Sequence, residues 1–370
     1  MSRYRIGTVA VIAVGLLCQS PTVARHLFEQ QPKPRGDTKF KAIFEPVNYS
    51  QDLRLHDVGF ATDDIGWAVG DAGTILHSRD GGKTWTPQLG GDKENAAADV
   101  QHIRVLSEKV AFAAQPGGGD HALLRTTDGE NWTQSGTVGQ HRGDFEFTSA
   151  DVGAYVSGDG IFHTVNAGKA WKEVYTCRLS LTIEGLARQV SCHFEDLNFP
   201  TLQVGYAISR VIGKTTFIIA KTTDGGATWT PWPVEMEYGG EHLYFLDDRR
   251  GFAKMWGGAV LRTDDGGKTW TAIAGLKLLG GKRARIDFAD SEVGWGIENK
   301  TMAFTTDGGR RWTTRTLTFP TGVNAFSLPS RQRGYVVGDH GMVYRYRVVP
   351  TDYSVPGMIA APMMPASAPK

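Results

Sequence analysis

Pairs of apolar residues two positions apart recur seven times along the chain: Val58 and Phe60, Ile103 and Val105, Phe145 and Phe147, Leu197 and Phe199, Leu243 and Phe245, Ile286 and Phe288, Phe326 and Leu328. A period of two marks a β-strand with one buried face. Six residues after the second member of each pair stands a small residue, namely Gly66, Ala111, Gly153, Gly205, Gly251, Gly294 and Gly334. An aromatic follows at once in every unit but the third, where Ala154 intervenes before Tyr155. The first unit, Val58 to Gln88, then predicts four strands: the paired strand, "GWAVG", "TILHS" and "TWTPQ".

The link between the last two strands is itself a repeat. "SRDGGKTW" (Ser78 to Trp85) returns as "TTDGENW", "TVNAGKAW", "TTDGGATW", "TDDGGKTW" and "TTDGGRRW". The tryptophans fall at Trp85, Trp132, Trp171, Trp229, Trp270 and Trp312, and the acidic or amide positions at Asp80, Asp128, Asn166, Asp224, Asp265 and Asp307. Intervals of 39 to 58 residues between the tryptophans are those of propeller blades rather than helical hairpins. The box reads as a turn: its glycines accept positive φ, its carboxylate takes the turn's own N–H groups, and its Trp anchors the hairpin. "DDGG" at Asp264 to Gly267 lacks the spaced carboxylates and terminal Glu of a calcium loop, so no metal is expected there.

The seventh unit, Ala325 to Val348, has three strands and no box, and "KFKAIFEPV" (Lys39 to Val47) is left to supply its outer strand. The expected fold is therefore all-β: a seven-bladed β-propeller of four-stranded blades over 39–349, closed by an N-terminal strand so that no sheet edge is left open. Residues 25–38 read as a linker, and the Pro-, Ala- and Met-rich residues 350–370 as a disordered tail.

Charge and cysteine content narrow the function. With 40 basic and 39 acidic residues the net charge is +1, so no global field draws nucleic acid. Two Arg in "MSRYR" precede the twelve-residue apolar run Ile6 to Leu17, too short for a comfortable bilayer span. Residues 1–24 read as a signal peptide or N-terminal anchor, which places the protein in the periplasm or an equivalent lumen. Removal of that segment would leave Cys177 and Cys192 as an even pair, either a disulfide, which an oxidising compartment favours, or two thiols.

The boxes resemble the Asp boxes, or bacterial neuraminidase repeats, of sialidases and other propellers. "GWAVGDAGTILHSRDGGKTW", repeated over one seven-bladed unit behind an export segment, is similar more specifically to the photosystem II stability and assembly factor family, over roughly residues 40 to 348. That resemblance implies a non-enzymatic lumenal or periplasmic factor that binds a membrane-protein assembly intermediate.

The candidate site lies at one end of the channel. Nine residues before each small residue stand Asp57, His102, Asp144, Asp196, His242, Arg285 and Ala325, either solvated strand ends or a polar ring. Arg54, Arg104, Arg142, Arg283 and Arg285 gather nearby; with His102 and His242 they are the candidate partner-binding residues, suited to acidic loops of a protein partner bound by a monomer. A metal between His102 and His242 is disfavoured because no chelating pair lies close in sequence, and no cofactor motif occurs. The enzymatic alternative is a sialidase-like glycoside hydrolase, or a carbohydrate-binding propeller, using carboxylates among Asp144, Glu195, Asp196 and Glu241; the sialidase "RIP" motif is missing. Xyloglucan hydrolases with such boxes resemble two propellers in tandem, and one is present. The insertion Tyr175 to Asp196 is a further candidate for specificity.

Overall fold

The computed structural model describes residues 40–47, 49–91, 97–117, 119–139, 145–183, 186–211, 216–235, 239–278 and 285–350. The signal or anchor, the linker and all but the first residue of the expected tail lie outside these, as do Arg142, Asp144 and Arg283. Residues 42–349 form one compact unit. It is a seven-bladed β-propeller, and no helix occurs among the described residues.

Each blade is an antiparallel meander. Blade 1 runs Leu55–Phe60, Gly66–Gly70, Thr74–Ser78 and Thr86–Leu89 in spatial order from the channel outward. Blades 2, 3, 5 and 6 repeat that order. Blade 7 is built from Val323–Ser330, Arg333–Gly338 and Val343–Pro350, with Phe40–Pro46 as its outermost strand. Glu45 fixes this closure, since its carboxylate receives the guanidinium groups of both Arg345, at 2.9 Å, and Arg347. In blade 4 the first strand is the long Leu186–Asn198, whose first half pairs with Arg178–Ile183 in a hairpin projecting beyond the blade. A disulfide joins Cys177 and Cys192 at the base of that hairpin, their Cα atoms 5.8 Å apart.

The recurring small residue now has a physical reason. In blade 5 a Cβ on Gly251 would lie 2.7 Å from the Phe245 ring, and Gly66, Gly153, Gly205 and Gly294 face Phe60, Phe147, Phe199 and Phe288 in the same way. Blade 2 carries Ala111 instead, opposite the smaller Val105. The space so opened admits an inter-blade stack. Phe60 lies on Tyr335 of blade 7 with ring centroids 3.4 Å apart, Phe147 on Phe112 of blade 2 at 3.6 Å, and Phe245 on Tyr206 of blade 4 at 3.5 Å. The box tryptophan of the same blade then meets the Phe edge-on, as Trp85 meets Phe60 and Trp270 meets Phe245. Where the third unit departs from the pattern, Ala154 takes the aromatic place, and Tyr155 stacks instead on Phe162 within its own blade.

The boxes are closed hydrogen-bonded turns. In the first, the Ser78 hydroxyl accepts from Gly82 N–H and donates to Asp80, which also accepts from the N–H groups of Lys83 and Thr84 and from the Thr84 hydroxyl. Buried Thr126, Thr164, Thr222, Thr263 and Thr305 take the place of Ser78 in the others. Burial raises the Asp224 and Asp265 carboxyls, but the combined donors outweigh it and bring both down to about 2. The same arrangement surrounds Asp128, Asn166 and Asp307.

Gly251→Ala is expected to destabilise the protein by about 1–3 kcal/mol, because the new methyl must displace a ring locked between Tyr206 and Trp270. Urea unfolding checks this, and an unchanged midpoint would show that the Phe245 stack does not need the gap.

Candidate functional site

The first strand of each blade leaves one edge facing the channel, with N–H groups that no further strand can satisfy. Side chains of the preceding blade supply the acceptors. Asp57 accepts from Ile103 N–H at 3.1 Å, Asp196 from Leu243 N–H at 2.8 Å, and Asn198 from Phe245 N–H at 2.7 Å. Tyr244 OH accepts from Phe288 N–H at 3.3 Å, Asp287 from Leu328 N–H at 3.3 Å, and Ser327 from Phe60 N–H at 3.2 Å, which returns the belt to blade 1.

Of the ring proposed from sequence, Asp57, Asp196, His242 and Arg285 line the channel, and its described acids are not solvated strand ends. Asp57 and Asp196 are 2% and 3% exposed. A second tier two residues further along, Arg104, Glu146, Asn198, Tyr244, Asp287 and Ser327, lines the same cavity of about 310 Å³. Of this tier, sequence reasoning singled out Arg104 alone. The tier's signal was a polar residue held between the two apolar members of six of the seven strand pairs.

Of the candidate arginines, Arg104 and Arg285 point into the channel, where both meet Asp57, at 3.6 and 3.4 Å. Arg104 also reaches Glu146 of blade 3 at 3.0 Å. Arg54 differs: it lies on the face of the ring where the first strands begin, here called the upper face, bonded to Asp339 at 2.7 Å yet 42% exposed. His102 and His242 each sit against a carboxylate of the preceding blade, Asp57 at 4.0 Å and Asp196 at 2.5 Å.

The described carboxylates considered for hydrolysis are all engaged. Glu195 pairs with Arg210 at 2.7 Å, Glu241 with Lys254 at 2.5 Å, and Asp196 with His242 and two backbone N–H groups. On the upper face the Arg210 guanidinium also lies over the exposed Trp256 ring, 5.3 Å from its centre. Neither residue was singled out from sequence, since each falls beside a turn with no repeat partner.

With this geometry in hand the comparisons are informative. The family model described as "Photosynthesis system II assembly factor YCF48" matches residues 33–176. The photosystem II stability/assembly factor HCF136 of Arabidopsis thaliana is 24% identical over 366 residues, covering 90% of this chain and 85% of that protein. The chain is thus similar to photosystem II stability/assembly factors, in its N-terminal part by the family model and along most of its length by HCF136.

Solved members share the fold. YCF48 from Cyanidioschyzon merolae superposes with a TM-score of 0.60 at 20% identity, covering 82% of this chain and 98% of its own. YCF48 bound to a D1 peptide gives 0.59 at 18%, covering 82% and 94%. The fold alone is also that of a xyloglucanase from Xanthomonas campestris, at 0.58 and 14%, where 82% of this chain spans 53% of that one.

Burial raises the Asp287 carboxyl to about 6, against opposing donors from Phe288 N–H, Leu328 N–H and Tyr244 OH and the charge of Arg285. Between pH 4 and 6 the folded protein thus holds a proton that the unfolded chain releases, so this group's contribution to stability falls as pH rises through that window. Asp287→Asn, which cannot ionise, should therefore destabilise more at pH 4 than at pH 7, by a difference of about 2–3 kcal/mol. Denaturant titrations of both proteins at the two pH values check this, and a pH-independent difference would contradict it.

Proposed function

We propose that this chain is an exported, monomeric, non-enzymatic binding factor that recognises a segment of a membrane-protein assembly intermediate on its upper face. The observation that carries the reading is the similarity to photosystem II assembly factors together with a solved YCF48, of the same fold, that holds a D1 peptide. The HCF136 relatives are chloroplastic by name, which supports a lumenal or periplasmic setting.

The geometry supports a division among the residues expected to bind. Arg104 and Arg285 hold Asp57 inside the channel, so their first role is in the belt. Arg54, Arg210 and Trp256 are exposed on the upper face, and Arg and Trp are the residue types that most often dominate protein interfaces. An exposed guanidinium offers an acidic segment a paired contact that salt weakens. Arg142 and Arg283 lie outside the described residues.

The test is titration of the purified protein with a synthetic D1 peptide by calorimetry. Saturable binding is expected, weakened by salt and by Arg54→Glu and Trp256→Ala, with stability changed by no more than about 0.5 kcal/mol. Arg104→Glu should instead cost about 1–3 kcal/mol of stability by breaking the channel pairs. No binding by the folded protein would overturn the reading; binding untouched by Arg54→Glu and Trp256→Ala would move the site elsewhere.

A further inference from the structure

On the upper face of blade 1 three metal-ligating side chains converge from segments far apart in sequence. His56 stands in the first strand, Asp71 in the turn after Gly66–Gly70, and Asp99 in the segment leading to blade 2. His56 Nε2 is 2.8 Å from Asp71 Oδ1 and 3.9 Å from Asp99 Oδ2. One donor atom from each residue falls within 4.8 Å of the others. We propose that His56, Asp71 and Asp99 form a binding site for a divalent transition metal of the zinc class.

Each carboxylate is held by its other oxygen. Asp71 Oδ2 accepts from Arg54 N–H at 3.3 Å, and Asp99 Oδ1 from Ala72 N–H at 3.0 Å. This is the outer support that orients metal ligands, and it leaves one oxygen of each turned toward the imidazole. Zinc–ligand bonds of about 2.0–2.2 Å place tetrahedral donors about 3.3–3.5 Å apart, and the two observed separations lie on either side of that value.

Charge and donor type both select the ion. Two carboxylates outweigh even a protonated imidazole, and a divalent cation with a neutral imidazole balances the set. A mixed nitrogen and oxygen set suits zinc rather than magnesium or calcium, which take oxygen alone. The Asp71 and Asp99 side chains are 38% and 46% exposed, so the ion would be exchangeable, with water at its remaining positions. A second histidine–carboxylate pair exposed on this face, His340 with Asp52, is not part of a three-ligand group among the described residues and serves as a control.

The experiment uses the untagged full chain, stripped with chelator and titrated with zinc chloride by calorimetry at neutral pH, with cobalt(II) absorption as a second readout. One equivalent should bind, raise the melting temperature and, as cobalt, give visible ligand-field bands. His56→Phe and Asp99→Asn should each weaken binding more than about 10-fold and abolish the bands, while His340→Ala leaves both intact. Asp99→Asn keeps the oxygen that Ala72 N–H requires, so it tests the ligand without disturbing the turn. No saturable binding by the wild type, equal binding by both ligand variants, or loss in His340→Ala would overturn the site.

Discussion

A propeller holds together only if every blade is bonded to the next, and here a ring stack crosses four of the seven seams. A Phe on the first strand lies between the aromatic of the preceding blade and the box tryptophan of its own, as Phe245 does between Tyr206 and Trp270. The rest of the repeat accommodates that ring. The glycine opposite it gives up a side chain to make room, and the box closes on itself to present the tryptophan. Two of the stacked tyrosines add a bond to the next blade, Tyr206 OH donating to Asp248 O and Tyr335 OH to Asp63 O.

The channel belt follows from the same geometry. Stacking brings consecutive first strands side by side without making them a sheet, so their inward N–H groups need side-chain acceptors. Asp57, Asp196, Asn198, Asp287 and Ser327 meet that need. Polar residues in a channel are thus a structural requirement before they are a site, and two of the three described candidate arginines are held within the belt. On the upper face Arg54, Arg210 and Trp256 retain exposure.

The fold was legible because its determinants are local and repeated. The two-residue period, the small residue and the box recur in register, and a seventh unit lacking its outer strand points directly to Lys39–Val47. The site was less legible because its contacts join residues 41 to 47 positions apart, through a rotation between blades that periodicity does not encode. Asp57 and Asp196 were found by register, yet their burial was not. Arg210 and Trp256, like the convergence of His56 with Asp71 and Asp99, depend on turns without a repeat partner.

Amide hydrogen exchange at the channel edge tests the belt most directly. The N–H groups of Ile103, Leu243, Phe245 and Leu328 are donated only to side chains of the preceding blade, so their protection reports the seams and not the ladders within blades. The account predicts that they exchange as slowly as the central ladder amides of the same blades, through global unfolding alone. Rapid exchange at these four amides, with the ladders still protected, would contradict it.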